Sequence, residues 1–145
     1  LAGCGYSRTD IHRAFIEYFW LAGLEALMDA IVLFAHGSRD PLWHQPMQSL
    51  QKLIEQQCPQ ILVRCAYLEL CQPDLMTAVH DLTLQSCQSI RVIPLFLGVG
   101  KHAREDLPLL MNQLKSQYPN VAFECLPAVG EHPLLLSTLA QIATN

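Results

Sequence analysis

The segment Asp29 to His36 carries an unbroken apolar run, Ala30 to Ala35, closed by a histidine, which predicts a strand buried on both faces. The turn Gly37-Ser38-Arg39-Asp40-Pro41 follows. From Pro41 or Pro46 to Gln57 apolar residues recur at helical spacing, with Met47, Leu50, Leu53 and Ile54 on the inner face. Pro59 ends that helix, and Ile61 to Tyr67 reads as a second strand. Gln72-Pro73-Asp74 opens a helix through Leu75, Val79, Leu82 and Leu84 to Cys87. Ser89 to Leu95 is a third strand. The glycine-bearing loop Phe96 to His102 leads into a helix from Ala103 to Gln117. Val121 to Leu126 is a fourth strand, Gly130 closes a loop, and Pro133 opens the last helix, 133–143.

Strands alternating with helices predict an α/β fold: a four-stranded parallel sheet with helices on both faces. The right-handed crossover rule leaves few topologies, and the order 2-1-3-4, half of a larger doubly wound sheet, is the expected one. Ligands of such sheets bind beyond the carboxyl ends of the strands where the order reverses, here between strands 1 and 3.

Residues 1–27 fall outside this alternation. The first Met is Met28, directly before the first strand, so the compact domain is expected over 28–145. The preceding segment is expected to be an extension, native or introduced. Thr9 to Leu27 can form an amphipathic helix with Ile11, Phe15, Tyr18, Phe19 and Leu21 on one face. Leu1-Ala2-Gly3-Cys4 resembles a lipoprotein cleavage box, but a signal region would have to precede it. A membrane-surface helix would want more cations than Arg8 and Arg13.

Composition narrows the picture. The 145 residues are 51% hydrophobic and 15% charged, enough for a single core and too apolar for disorder. A formal net charge of −4 argues against a general nucleic-acid partner, and no apolar run is long enough to span a membrane. None of the 6 Cys residues forms a CxxC pair, so they read as mostly buried, reduced thiols of a cytoplasmic protein.

The topology brings chemistry to one edge. Strand 1 ends at His36, strand 2 runs on to Glu69, and the loop after strand 3 carries His102. Two imidazoles and a carboxylate suit a divalent first-row metal such as Co2+, Fe2+, Ni2+ or Zn2+, and neutral imidazole is also a base near pH 7. Bland roles compete: a single His at a strand end is more often structural, and Glu69 can cap the helix that follows. His44, His80 and His132 read as surface or helix-end residues, with His44 nearest the crevice. Gly98-Val99-Gly100 matches neither GxGxxG nor a P-loop, so its glycines are read as room for backbone to approach a flat ligand and swing Lys101 and His102 inward.

Three motifs now carry a resemblance. His36-Gly37-Ser38-Arg39-Asp40-Pro41 after an apolar strand resembles the opening of the class II chelatases. The stretch Pro94 to Pro108, with Pro-Leu-Phe-Leu followed by Gly100-Lys101-His102, resembles their second signature. Ala66-Tyr67-Leu68-Glu69 before Gln72-Pro73 resembles the middle motif, with Tyr67 where Phe is common. Together they resemble the short CbiX-type sirohydrochlorin cobaltochelatases and the related SirB-type ferrochelatases over about Met28 to Ile142.

The resemblance implies a chelatase-like half domain that forms a homodimer. It implies ATP-independent insertion of Co2+, or of Fe2+ or Ni2+, into sirohydrochlorin for cobalamin or sirohaem synthesis, with no other cofactor. It assigns the metal to His36 and His102 and the acidic partner to Glu69. The ring's carboxylates would meet Arg39, Lys101 and Arg104, and Phe96, Leu97 and Val99 would lie under the ring beside Gly98. Arg39 has a structural alternative, a pair with Asp40 or Asp106. Other readings are a non-catalytic tetrapyrrole or metal carrier, a partner-binding module built on helix 9–27, and a hydrolase or transferase using His36 and Ser38. The last lacks a Gly-x-Ser-x-Gly elbow.

Overall fold

The computed structural model describes residues 29–145; the expected extension 1–27, its helix from Thr9 and the domain start at Met28 lie outside the described residues. Four strands, β1 (Ala30–Ala35), β2 (Leu62–Tyr67), β3 (Ser89–Pro94) and β4 (Ala122–Cys125), form one parallel sheet in the order β2-β1-β3-β4. That is the predicted order. Four α-helices follow the strands in turn: α1 (Gln45–Gln57), α2 (Leu75–Leu84), α3 (Lys101–Gln117) and α4 (Pro133–Thr144). Two short 3-10 helices, Pro41–His44 and Val129–Glu131, precede α1 and α4.

β1 is the central strand and every residue of it is buried, which is why its sequence is apolar without alternation. Its alternate side chains feed two cores. Ala30, Val32 and Phe34 pack with Val79 and Leu82 of α2 and Leu114 of α3. Ile31, Leu33 and Ala35 face the other way, towards Met47 of α1. Asp29 fastens the bottom of the sheet: its carboxylate accepts from the Gln88 and Ser89 amides at 2.6 and 3.0 Å. Asp29→Ala is expected to cost about 2 kcal/mol, read from a denaturant midpoint, because two main-chain donors lose a charged acceptor.

Several boundaries differ from the sequence pattern. Pro41 and Pro46 both start helices, a 3-10 turn capped by Asp40 and then α1. α2 ends at Leu84 rather than Cys87, with Ser86 at φ 66 turning the chain away, so Leu84 is 72% exposed. Leu53 is also exposed, since it sits one residue, about 100° of helix, from the inward Ile54. α3 starts at Lys101, two residues before Ala103, so His102 lies on a helix rather than in a loop. The cysteines among the described residues are less buried than expected. Cys87 is buried, Cys58, Cys65 and Cys71 are half-buried and Cys125 is exposed, all with free thiols.

Two apolar surfaces are exposed among the described residues. α4 buries none of its residues, and its Leu134, Leu136 and Ile142 are exposed. On the α1 face, a groove of about 400 Å³ is lined by Ala35, Trp43, Met47, Leu50 and Leu95. Among the described residues no helix is long and apolar enough to cross a membrane.

Candidate active site

His36 is the first residue past β1, on the same face as Val32 and Phe34. Phe96, just past β3, meets both. Its ring centroid is 5.9 Å from Phe34, edge-on, and 4.6 Å from the His36 imidazole. His36 is itself exposed, so a buried phenyl supports an accessible imidazole. Phe96 is only 2% exposed and belongs to the core, which corrects its place in an open platform with Leu97 and Val99. Leu97 is 70% exposed, while Val99 is half-buried.

Glu69 reaches the same edge because the β1–β2 ladder runs on beyond the strands. The Leu68 amide donates to Ala35 O at 2.8 Å, and the Glu69 amide donates to His36 O at 3.0 Å. Gly37 makes this close approach possible. It has φ +97, and a Cβ there would stand 2.1 Å from the Glu69 carbonyl oxygen. The Glu69 side chain is exposed.

His102 comes from the third element at this edge. It is exposed on the first turn of α3, whose N-cap is Gly100. The topology thus gathers His36, Glu69 and His102 at the carboxyl edge of the sheet. It does not close them into a metal cage: among the described residues no group of three or more His, Cys, Asp or Glu is placed to hold an ion. His102 rides on a separate helix, reached through the loop after β3. Gly98 and Gly100 are exposed and have open space where a Cβ would go, so the fold itself does not require either glycine to be small.

The cations are distributed as follows. Arg39, Lys101 and Arg104 are all exposed, and the ion pairs among the described residues are Arg64–Asp81 and Arg91–Glu124. Arg39 therefore pairs with neither Asp40 nor Asp106. Asp40 instead caps its own 3-10 helix, accepting from the Leu42 amide at 2.9 Å.

Phe96, Val99 and Arg104 also line a largely apolar cavity of about 470 Å³, together with Leu107, Met111 and Leu126. The sequence pattern alone did not mark this cavity, although Arg104, Pro108, Met111 and Lys115 recur at helical spacing and all line it. Nor did it find the aromatic group under the first loop, where His44 meets Tyr67 at 5.0 Å and Trp43 at 5.5 Å. Burial pushes the Tyr67 phenol up to about 12, so it stays neutral at physiological pH. Burial, with Glu55 adding to it, also raises Cys65, which keeps it a thiol and a poor metal ligand. His80 bonds the Tyr118 hydroxyl, and His132 caps α4 by accepting from the Leu134 amide, so both have structural roles.

The comparisons with known proteins agree with this architecture. A family model described as CbiX matches residues 30–145. The sirohydrochlorin cobaltochelatase of Methanopyrus kandleri is 32% identical over 84 residues, 58% of this chain and 59% of its own. The chloroplastic sirohydrochlorin ferrochelatase of Arabidopsis thaliana is 25% identical over 111 residues, 77% of this chain and 49% of its own. The chain thus spans less than two thirds of these curated relatives. A crystal structure described as a putative cobalamin biosynthesis CbiX protein from Marinobacter aquaeolei is similar with a TM-score of 0.66 at 30% identity, covering 81% of this chain and 93% of that one. SirB of Bacillus subtilis in complex with cobalt shares the fold, with a TM-score of 0.69 at 22% identity, over 81% of this chain and 50% of that one.

Proposed function

This chain belongs to the CbiX family, and from that premise we propose that its crevice inserts a divalent metal ion, Co2+ foremost, into sirohydrochlorin without ATP. The observation that carries the reading is the exposed His36 imidazole seated on buried Phe96, with Glu69 joined to it through the main chain. His102 stands at the same edge on α3.

Insertion asks three things of the site. The metal must shed water, the macrocycle must present its nitrogens, and two N–H protons must leave. His36 and His102 bind the metal from one side and leave positions open for ring nitrogens. An imidazole displaced by a ring nitrogen then takes one proton. Glu69 takes the other or holds a histidine tautomer. Two imidazoles and a carboxylate accept Fe2+ as readily as Co2+ in kind, so the cellular metal follows supply, and a ferrochelatase for sirohaem is the second reading.

The substrate's carboxylates meet Arg39 on the loop after β1, and Lys101 and Arg104 on the first turn of α3, the positive end of its dipole. The near end of the cavity, with Phe96, Val99 and Arg104, receives part of the apolar face of the ring. Lys115 lies 13 residues beyond His102, about 20 Å along the helix, and is out of reach of a ring centred on the histidines. Arg39→Ala is expected to raise KM for sirohydrochlorin about tenfold with little change in kcat. An unchanged KM would return Arg39 to a surface role.

A half-size domain leaves the ring open on one side, and we assign its cover to a second copy of the chain. The exposed leucines of α4 and the uncovered groove on the α1 face supply apolar surface for that homodimer. Free thiols fit a reducing compartment, and we place the reaction in the cytoplasm.

An anaerobic absorbance assay tests the function directly. Purified protein is mixed with sirohydrochlorin, and Co2+, Fe2+ or Ni2+ is added in turn with spontaneous insertion subtracted. The expected result is a catalysed spectral change, fastest with Co2+. A bound-tetrapyrrole spectrum without turnover would make the protein a carrier, and no binding would end the tetrapyrrole reading.

A further inference from the structure

The loop that bears Arg39 is fastened on both sides of it. On one side Gly37 is buried against the Glu69 carbonyl, with no room for a Cβ. On the other, the Asp40 amide donates to Ser38 Oγ at 3.0 Å, and Asp40 caps the 3-10 helix that follows. One long-reaching tie closes the loop: His44 Nε2 lies 3.0 Å from Ser38 O. A carbonyl can only accept, so Nε2 carries the proton and donates. The imidazole cannot swing freely, because it stands edge-to-face against Tyr67 at 5.0 Å and Trp43 at 5.5 Å. Tyr67 is a buried residue of β2. The chain from Ser38 to His44 is therefore a closed ring anchored to the sheet. Arg39 stands inside that ring with an exposed side chain that has no ion-pair or hydrogen-bond partner among the described residues.

We propose that His44 is a positioning residue that holds the loop so that Arg39 meets a substrate carboxylate from a fixed backbone, an inference resting on the tetrapyrrole reading above. His44 does not touch the substrate. A guanidinium on a fixed backbone loses less freedom on binding than one on a loose loop, so the benefit falls on binding rather than on the chemical step. Neither the loop motif nor hydrophobic spacing indicates this role, because the tie spans six residues and depends on the aromatic wall supplied by β2.

Four full-length variants, His44→Ala, His44→Gln, Arg39→Ala and the double alanine, test this by steady-state kinetics, with amide exchange over residues 38–43 measured without substrate. His44→Ala should raise KM for sirohydrochlorin about three- to tenfold, the loss of one neutral hydrogen bond, and leave kcat within about twofold. Exchange in the loop should rise. His44→Gln, whose amide nitrogen reaches about as far as Nε2, should recover most of the KM. In the Arg39→Ala background, His44→Ala should add nothing to KM, since the group it positions is gone. Additive KM effects, unchanged exchange, or a fall in thermal stability with normal KM would each overturn the proposal and leave the chelatase reading standing. Raised exchange in His44→Ala, with no sirohydrochlorin binding by the unaltered protein, would overturn the tetrapyrrole reading and with it the role in substrate binding, while the loop tie itself would stand.

Discussion

His36→Ala is expected to cut metal insertion by at least about 100-fold while the protein stays folded, and His102→Ala to do the same. The separation of activity from stability follows from position. His36 is exposed and rests on Phe96, so truncation bares part of a phenyl ring and opens no internal cavity. His102 sits on the exposed first turn of α3, where alanine favours the helix. Circular dichroism and the denaturant midpoint should therefore match the unaltered protein within about 0.5 kcal/mol. On the proposed reading, in which both imidazoles hold the same metal, the double variant should be little worse than either single one. Near-normal turnover in either single variant would remove that residue from the site. Glu69→Gln separates two roles. A loss as large as that of His36→Ala would make Glu69 a base or ligand, and a small loss would make it a partner that orients a histidine.

Gly37→Ala is expected to damage both stability and activity, with a cost of at least about 3 kcal/mol. Two effects add. At φ +97 an L side chain is strained whatever the space around it, and here the added Cβ would meet the Glu69 carbonyl at 2.1 Å. Relief requires the loop and the Glu69 segment to part, which breaks the Glu69 amide to His36 carbonyl bond at 3.0 Å. Loss of stability and loss of insertion should therefore appear together. Gly98→Ala is the control for stability: open space surrounds that position, and its denaturant midpoint should be unchanged. A Gly37→Ala protein as stable as the parent would show that the two segments do not need their close contact.

The order of the sheet was legible in the chain because it follows from local pattern plus chirality. β1 is apolar at every position because helices cover both of its faces, and that burial is visible as a run without alternation. Helix starts were legible where a proline or aspartate marked them, as at Pro41, Asp74 and Pro133. They were misjudged at α3, where Gly100 caps the helix with no side-chain signal. Leu53 reads as inward from its spacing but is exposed, because hydrophobicity reports the kind of residue, whereas burial depends on the neighbouring elements.

The parallel αβ alternation, the family and the identity of the polar residues at the carboxyl edge can all be read from the chain, because strand direction and topology carry those residues there whatever the packing detail. Tertiary structure alone decided their neighbours. Phe96 became a buried support for His36 because β3 runs beside β1 and sets the ring against Phe34. Glu69 came to His36 through a ladder bond that continues past the strand ends. His44 bonds the Ser38 carbonyl while its ring stands edge-on against Tyr67, which comes from another strand. Each of these contacts joins residues far apart in sequence or turned by a loop, and local pattern carries no information about such distances.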